Sequence, residues 1–229
     1  MQVLLAGDST VASCPAAETP MSGWGAHLGA PLNAGLASRA ARSGRTAPVV
    51  GVVNVAKGGA NTSSFRGEGL WDALLLAASS GDVVVMQFGH NDQKIPTLAP
   101  WDGYARNLER FVEECGDRGL RPVLCTSVAR RRFVDGRLVP TLGEYPDAVT
   151  QLGSRLGVPV VDLHTATSAL YEAWGEEGSR ALFTQFAPDT HPLYRGGVAD
   201  DTHFSITGAQ AVAQEVATAL VPIIEEEWA

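Results

Sequence analysis

The chain has 229 residues, 45% of them hydrophobic, and a formal net charge of −8. This length can bury one large core and no shift in composition marks a second, so we expect a single domain spanning residues 1–229. The acidic charge argues against a nucleic-acid partner, because that kind of binding depends on basic side chains that neutralise phosphates.

Targeting signals and cysteines are sparse. No apolar run approaches the ~20 residues of a membrane span, and the first residues lack a basic region followed by a long apolar one. We therefore expect no membrane partner and a cytoplasmic location, or secretion if a signal has been removed.

Cys14, Cys115 and Cys125 lack metal-binding spacing, and we expect no metal or other cofactor. They fit buried thiols; a bridge between Cys115 and Cys125 is the alternative.

Apolar runs rich in β-branched residues predict five buried strands, at residues 3–6, 49–55, 82–88, 122–128 and 158–163. Helical periodicity marks residues 67–79, 102–114, 145–156 and 207–227, and Pro222 is expected to kink or shorten the last of these helices. This alternation predicts a three-layer α/β/α sandwich around a five-stranded, mostly parallel sheet. Ligands of such sheets bind beyond the carboxyl ends of the strands.

The first predicted strand leads into Gly7-Asp8-Ser9-Thr10. An abrupt turn after a buried strand presents a hydroxyl at the sheet edge, so we predict that Ser9 is a nucleophile. By itself the tetrapeptide is also ordinary turn chemistry, in which the side chains of Asp and Ser bond to nearby amides.

Two further strand ends carry candidate donors. Gly58 and Gly59 follow the second predicted strand and allow a backbone amide to approach a ligand closely. Asn91 follows the third, where its side-chain amide can donate to a developing oxyanion. A flexible turn and a helix cap are the respective alternatives.

A carboxylate and an imidazole lie just before the last predicted helix. On a turn, Asp200 can bond to Nδ1 of His203 and leave Nε2 free to take a serine proton. Asp201 is the neighbouring alternative for the acid, and the spacing of three residues favours Asp200. We interpret Asp8 and Asp92 as turn residues that position their loops.

These residues resemble the four sequence blocks of the SGNH (GDSL-type) hydrolases: Gly7-Asp8-Ser9, Gly59, Gly89-x-Asn91-Asp92 and Asp200-x-x-His203. Further stretches, including residues 23–25, 128–133, 143–145 and 201–205, are similar to the rhamnogalacturonan acetylesterases, which remove acetyl groups from pectin. The resemblance implies the flavodoxin-like SGNH hydrolase fold. It also implies a triad of Ser9, His203 and Asp200, and an oxyanion hole made by the amides of Ser9 and Gly59 with the Asn91 side chain.

The resemblance further implies an acetylated carbohydrate as substrate, with acetylated pectin as the specific expectation. His90, Arg130 and Tyr194 are predicted substrate contacts. The run Arg130-Arg131-Arg132 is either a solvated face or a contact to a uronic acid. One departure is that Ala60 follows Gly59 where this branch often has Arg. The remaining candidates are histidines interpreted as structural or rim residues and aromatic residues interpreted as core or sugar-stacking faces: His164, His191, Trp24, Trp101 and Tyr145.

Three other functions are compatible with parts of this pattern. A metal-dependent phosphoesterase needs a DxH on the first strand and a GHxH near the end, and both are absent. An esterase or thioesterase for other acyl groups keeps the same triad. A non-catalytic carbohydrate-binding module keeps only the fold, since fold does not determine function.

Overall fold

The structure is a computed structural model that describes residues 1–225. The strands in this range are β1 Gln2–Gly7, β2 Gly51–Asn54, β3 Val83–Gln87, β4 Arg121–Cys125, β5 Phe133–Val134, β6 Arg137–Leu138, β7 Val160–Val161, β8 Phe183–Phe186 and β9 Val198–Phe204. The α-helices are α1 Gly29–Arg42, α2 Thr62–Gly67, α3 Leu70–Ala77, α4 Ala105–Asp117, α5 Tyr145–Leu156, α6 Leu163–Gly178 and α7 Ile206–Glu225.

Five strands form a parallel sheet in the order β2-β1-β3-β4-β7. Strand β1 lies between β2 and β3, and Gly7 is paired with Gln87 at the carboxyl end. Because parallel neighbours end at the same edge, the loops that follow β1, β2 and β3 lie side by side. The predicted α/β/α architecture with a five-stranded sheet is confirmed.

Helices cover both faces of this sheet. Alternate strand residues point to opposite sides, so each strand supplies apolar side chains to two separate clusters. Leu5 and Val85 pack in the cluster that contains residues of α1, α6 and α7. Leu4 and Met86 pack in the other, with residues of α3, α4 and α5. This two-sided burial explains why β1 and β3 are continuous apolar runs rather than alternating ones.

The three cysteine thiols are free. Cys115 packs in the cluster under α4, whereas Cys125 packs in the cluster on the opposite face of the sheet. The alternative of a bridge between them is therefore wrong, since the sheet separates the two side chains. Burial raises the pKa of the Cys115 thiol to about 12, which makes it unreactive at neutral pH.

Two predicted helices begin later in the structure than in the prediction. The predicted helix at 67–79 corresponds to α3, and the short helix α2 before it, which has no predicted counterpart, is separated from α3 at Gly69. That residue has a φ of 75°, a left-handed conformation that interrupts a helix and that glycine adopts without steric cost. The predicted helix at 102–114 is α-helical from Ala105, and Pro100–Tyr104 before it forms a π-helical turn.

The fifth predicted strand, at 158–163, is shortened to β7. The Asp162 side chain accepts a hydrogen bond from the Thr165 amide and begins α6, so helix capping ends the strand early. Helices α1 and α6 and the antiparallel hairpin of β8 and β9 have no counterpart among the predicted elements.

The last predicted helix, at 207–227, corresponds to α7, and its final two predicted residues lie outside the described range. The helix continues past Pro222 to Glu225, so the proline does not shorten it there. None of the helices described up to residue 225 combines the length and the apolar character needed to cross a membrane.

Candidate active site

Ser9 stands at the carboxyl edge of the sheet, two residues after β1 ends. The chain turns at once, because the amides of Val11 and Ala12 both donate to the Asp8 carbonyl, at 3.1 and 3.0 Å. The Asp8 carboxylate accepts from the Thr10 amide and hydroxyl, at 2.9 and 2.8 Å. The ordinary turn chemistry of this tetrapeptide is therefore present, and it holds Ser9 in place.

Ser9, His203 and Asp200 form one chain of hydrogen-bonded groups. Ser9 Oγ lies 2.9 Å from His203 Nε2, and His203 Nδ1 lies 2.7 Å from Asp200 Oδ2. The histidine nitrogens thus face a hydroxyl on one side and a carboxylate on the other. This order of groups allows the imidazole to take a proton from the serine while the carboxylate fixes its orientation.

Asp200 and His203 lie within β9, so the prediction that they stand on a separate turn is wrong. Phe204 pairs with Phe183 and Ala199 pairs with Gln185, so the four residues between Ala199 and Phe204 lie opposite the single residue Thr184. This enlarged β-bulge leaves Asp200–His203 outside the regular ladder. Turn-like bonding exists inside the bulge, because Asp200 Oδ1 accepts from the amides of Thr202 and His203, both at 2.8 Å.

The protonation equilibria of the pair reflect this bonding. Burial acts to raise the pKa of Asp200, but hydrogen bonds from His203 and the Thr202 amide outweigh it and lower that pKa. The hydrogen bond to Asp200 raises the pKa of His203, against the effect of burial. Asp8 adds to this upward shift, and Lys94 opposes it. The imidazolium is therefore the form that this site stabilises.

The loops after β2 and β3 bring the two other candidate donors to the same edge. Gly59 has a φ of 78°, and Lys57 in the same loop donates its amide to Gly7 O at 3.1 Å, which places the loop beside the end of β1. Asn91 Nδ2 donates to Ala60 O at 2.9 Å. The amides of Ser9 and Gly59 have no hydrogen-bond acceptor within residues 1–225, so both are free to bind a ligand.

His90 is buried, with 2% of its surface exposed, and its Nδ1 lies 3.3 Å from Asp8 Oδ2. The prediction that His90 contacts substrate is therefore corrected, because its ring faces the carboxylate of Asp8 in the turn that carries Ser9. Burial alone would raise the pKa of Asp8, but the charge and hydrogen bond of His90, together with Thr10, lower it. Asp8 thus remains ionised below Ser9.

Asp92 is a second buried carboxylate, and it links the loop after β3 to the start of α2. Its Oδ1 accepts from the amide and the hydroxyl of Thr62, at 2.9 and 2.7 Å. Its Oδ2 has no hydrogen-bond partner in the described part of the chain. Burial raises the pKa of Asp92 to about 6, with a further contribution from the charge of Asp8.

A row of hydrogen-bonded side chains, which the sequence did not predict, supports the turn that carries Ser9. Trp24 Nε1 donates to Gln87 Oε1 at 2.8 Å, and Gln87 Nε2 donates to the Thr10 hydroxyl at 2.6 Å. The Thr10 hydroxyl donates in turn to Asp8. The available signal was Gln87, a fully buried amide at the end of an otherwise apolar strand.

Comparison with known proteins agrees with this geometry. A family model described as the GDSL-like Lipase/Acylhydrolase family matches residues 5–211. The chain belongs to the GDSL-like lipase/acylhydrolase family. The resemblance to the SGNH (GDSL-type) hydrolases is thereby confirmed, and with it the prediction of an enzyme that hydrolyses carboxylic esters.

Named relatives of this acylhydrolase include the rhamnogalacturonan acetylesterase RhgT of Bacillus subtilis (strain 168), which is 45% identical over 218 residues, covering 95% of this chain and 88% of the relative. The solved protein YxiM of Bacillus subtilis has a TM-score of 0.76 at 21% identity; the match covers 97% of this chain and 56% of that longer chain. A mutant of Axe2, an acetyl-xylooligosaccharide esterase of Geobacillus stearothermophilus, has a TM-score of 0.60 at 18% identity, covering 99% and 95%. The two structures establish the fold.

The arginine run of this acylhydrolase is divided among three environments. Arg132 is exposed, Arg131 is buried and Arg130 is half-buried. Arg130 donates to the carbonyl of His90 at 3.3 Å and to the Thr141 hydroxyl at 3.4 Å. All three arginines line a surface cavity of about 520 Å³, to which Asp201 of β9 also contributes. The run is therefore not a uniformly solvated face.

The predicted aromatic contacts also separate by burial. Trp24 and Tyr145 belong to the core, whereas Trp101 is 46% exposed in a groove beside α5. The ring of Tyr194 stacks on Phe186, with centroids 5.5 Å apart, and its hydroxyl donates to Glu18 O at 2.6 Å. Tyr194 therefore joins the loop after β8 to the segment after β1, and its role toward substrate stays a prediction.

The two histidines interpreted as structural or rim residues lie in different elements. His164 is the second residue of α6 and is half-buried, and burial lowers its pKa. His191 stacks on Phe186 with a centroid distance of 4.5 Å. Within residues 1–225 no group of three or more His, Cys, Asp or Glu side chains is arranged to hold a metal ion.

Proposed function

We propose that this chain is a serine esterase that removes acetyl groups from carbohydrates, with Ser9, His203 and Asp200 as the catalytic residues. The observation that carries the proposal is the continuous sequence of contacts from Ser9 Oγ to His203 Nε2 and from His203 Nδ1 to Asp200 Oδ2, at 2.9 and 2.7 Å. The names of RhgT and Axe2, both esterases of acetylated carbohydrates, support the activity class.

The first step forms an acetyl-enzyme. His203 Nε2 takes the Ser9 proton as Ser9 Oγ attacks the carbonyl carbon of the acetyl ester. The carbonyl oxygen becomes an oxyanion, which the Ser9 and Gly59 amides and the Asn91 side chain bind. When the tetrahedral intermediate collapses, the protonated His203 gives its proton to the departing sugar hydroxyl.

The second step regenerates the serine. A water molecule replaces the sugar, His203 takes one of its protons, and the oxygen attacks the acetyl carbon. The same donors bind the second oxyanion, and its collapse releases acetate while His203 returns the proton to Ser9 Oγ. Asp200 stabilises the imidazolium in both steps, in agreement with the raised pKa of His203.

The proposed polymer is acetylated pectin, in particular rhamnogalacturonan. RhgT is named for that substrate, and its identity to this chain is 45%. Arg130 supports a polymer that carries carboxylates. Within residues 1–225 its guanidinium has no carboxylate within ion-pair distance, and its hydrogen bonds to His90 and Thr141 go to neutral oxygens. The cation is thus available to a uronic acid. Tyr194 remains a proposed substrate contact.

Measurements of acetate release test the catalytic triad and the preference for pectin separately. Wild type, Ser9→Ala and His203→Ala are compared on p-nitrophenyl acetate, on acetylated rhamnogalacturonan and on acetylated xylan. We expect wild type to act on all small acetyl esters and to prefer rhamnogalacturonan, and both variants to lose at least ~10³-fold in kcat. Equal rates for the three proteins would refute the triad. Equal rates of wild type on the two polymers would refute the pectin assignment and leave the esterase intact.

A further inference from the structure

Arg131 is the buried member of the arginine run, with a side chain that is 6% exposed. Its Nε donates to the Ser179 hydroxyl at 3.0 Å, its Nη2 donates to Glu176 O, and its Nη1 donates to Asp201 Oδ1 at 2.8 Å. A buried guanidinium is tolerated when its donors are satisfied and its charge is paired. Arg131 therefore has a fixed position between the end of α6 and strand β9.

Asp201, the residue next to the proposed catalytic acid, is held by its backbone as well as by its side chain. The Arg131 amide donates to Asp201 O at 2.9 Å, in addition to the ion pair between the two side chains. Gln185 on β8 donates to the same Asp201 carboxylate at 2.5 Å. These bonds show why Asp201 is unsuited to be the triad acid: its carboxylate is already engaged away from His203.

The bulge that carries Asp200 and His203 needs such support. Its four residues lie opposite one residue of β8, so the regular ladder of the hairpin does not hold them. Asp200 and Asp201 are covalent neighbours, and a displacement of Asp201 is transmitted to Asp200 and through it to His203. Arg131 lies in the loop that follows β4, which is a strand of the central sheet.

We propose that Arg131 is a positioning residue, which holds the bulge through Asp201 so that Asp200 meets His203 and His203 meets Ser9. The proposal rests on the proposed function, because it concerns the same triad. The ion pair between Arg131 and Asp201 thus serves the geometry of the triad rather than substrate binding, since the side-chain partners of Arg131 are Ser179, Glu176 and Asp201 and do not include Ser9.

The positioning role of Arg131 is tested by measuring kcat and KM on p-nitrophenyl acetate for three variants: Arg131→Met, Arg131→Lys and Asp201→Ala. Arg180→Met is the control, since Arg180 is an exposed arginine that pairs with Glu177 on the same side of the molecule. We expect Arg131→Met and Asp201→Ala to lower kcat by ~10- to 100-fold with little change in KM, because small displacements of catalytic groups are costly. Arg131→Lys should recover part of the loss, since an ammonium reaches fewer of the acceptors.

The pH profile distinguishes positioning from a loss of folded protein. A loss of folded molecules lowers kcat/KM only in proportion to the folded fraction, which circular dichroism measures at each pH. A weaker bond between Asp200 and His203 lowers the pKa of His203 and moves the acid limb to lower pH. The other charged groups that act on His203 are Asp8 and Lys94, and these substitutions change neither. The double variant Arg131→Met/Asp201→Ala should lose no more than the worse single variant.

Wild-type kcat and an unmoved acid limb in folded Arg131→Met or Asp201→Ala would overturn the proposal. If Arg131→Met does not fold, Asp201→Ala decides, because the Asp201 side chain is 47% exposed and its removal leaves Arg131 with its hydrogen bonds to Ser179 and Glu176. Ser9→Ala measured alongside separates the two failures. An active Ser9→Ala refutes the proposed function, whereas an inactive Ser9→Ala with a fully active Arg131→Met refutes only the positioning role.

Discussion

Asp200 binds His203 twice, once through each carboxylate oxygen: Oδ2 lies 2.7 Å from the imidazole Nδ1, and Oδ1 accepts from the backbone amide at 2.8 Å. The carboxylate thus orients the ring and the backbone that carries it. Two residues with this spacing can form both bonds only because the chain between them bulges out of β9.

Replacement of this carboxylate is the first prediction. Asp200→Asn keeps the size of the side chain but offers a neutral amide to Nδ1, which favours the wrong imidazole tautomer. We expect kcat on p-nitrophenyl acetate to fall by ~10²- to 10⁴-fold. Asp117→Asn makes the same chemical change at the exposed end of α4 and should retain full activity. Near-wild-type turnover of Asp200→Asn would show that this carboxylate is not the triad acid.

The pH dependence of wild type follows from the protonation of His203. The base must be neutral to accept the serine proton, and its pKa is raised above 6.5 by the hydrogen bond to Asp200. Activity is therefore fully present above that raised pKa and is lost as the pH falls through it. We expect the acid limb of kcat/KM, measured from about pH 5 to about pH 9, to lie above that of an unperturbed histidine. A limb well below pH ~6 would contradict the raised pKa.

Asn91 is a proposed donor to the oxyanion, so removal of its side chain should lower turnover without weakening substrate binding. One hydrogen of Asn91 Nδ2 is used by Ala60 O, and the other has no acceptor in the described range, so it is available to the oxyanion. Asn91→Ala should lower kcat by ~10²- to 10³-fold and leave KM nearly unchanged. Gln151→Ala, which removes an exposed amide on α5, serves as the control. A change confined to KM would place Asn91 in substrate binding instead.

Arg130 predicts a dependence on substrate charge. Arg130→Gln should raise KM for acetylated rhamnogalacturonan by ~10-fold and leave KM for an acetylated xylan without glucuronic acid side chains unchanged, because only the first of these polymers carries carboxylates. Added salt should weaken the wild-type preference, since exposed charges are screened over ~10 Å at 0.1 M salt. Arg180→Gln controls for the loss of a positive charge. Equal effects on both polymers would remove the uronic-acid contact from the proposal.

The raised pKa of the buried Asp92 predicts that the free energy of unfolding depends on pH. Its pKa is raised from 3.8 to about 6, so the folded state retains a proton that the unfolded chain releases in this interval. The free energy of unfolding therefore falls as the pH rises through the interval, by up to about 3 kcal/mol. The lowered pKa values of Asp8 and Asp200 act in the opposite sense and at lower pH.

Urea unfolding of wild type and Asp92→Asn at about pH 4.5 and about pH 7.5 measures this effect. The neutral amide should remove most of the decline, so the variant gains stability relative to wild type at the higher pH. If the difference between the two proteins is the same at both pH values, Asp92 is not the group responsible.

The central sheet was predictable because its signal is local and strong. Strands β1, β3 and β4 are buried on both faces, and such strands appear in a sequence as short, continuous apolar runs. The hairpin of β8 and β9 was not predictable in this way. Its strand β9 carries charged residues in its interior, because Asp200 and Asp201 are held by hydrogen bonds rather than by apolar packing.

The residues of the candidate site also divide into those that the sequence alone predicts and those that it does not. The residues Ser9, Gly59, Asn91 and His203 were recognisable because each follows a strand or precedes a helix within a motif of fixed spacing. Burial was not recognisable: His90 and Arg131 are polar residues in loops, and only the folded chain shows that one lies under Asp8 and the other beside Asp201. Interactions between residues about 70 positions apart or more leave no periodic signal in one sequence.

The separation of Ser9 and His203 along the chain, 194 positions, has a consequence for biosynthesis. Ser9, the proposed nucleophile, follows β1, whereas His203, its proposed base, lies in β9, which forms only after residues 198–204 have left the ribosome. Until then the Ser9 hydroxyl lacks the imidazole that contacts it in the folded chain. We expect esterase activity to begin with the pairing of β8 and β9, and a nascent chain that stalls before residue 203 to have none.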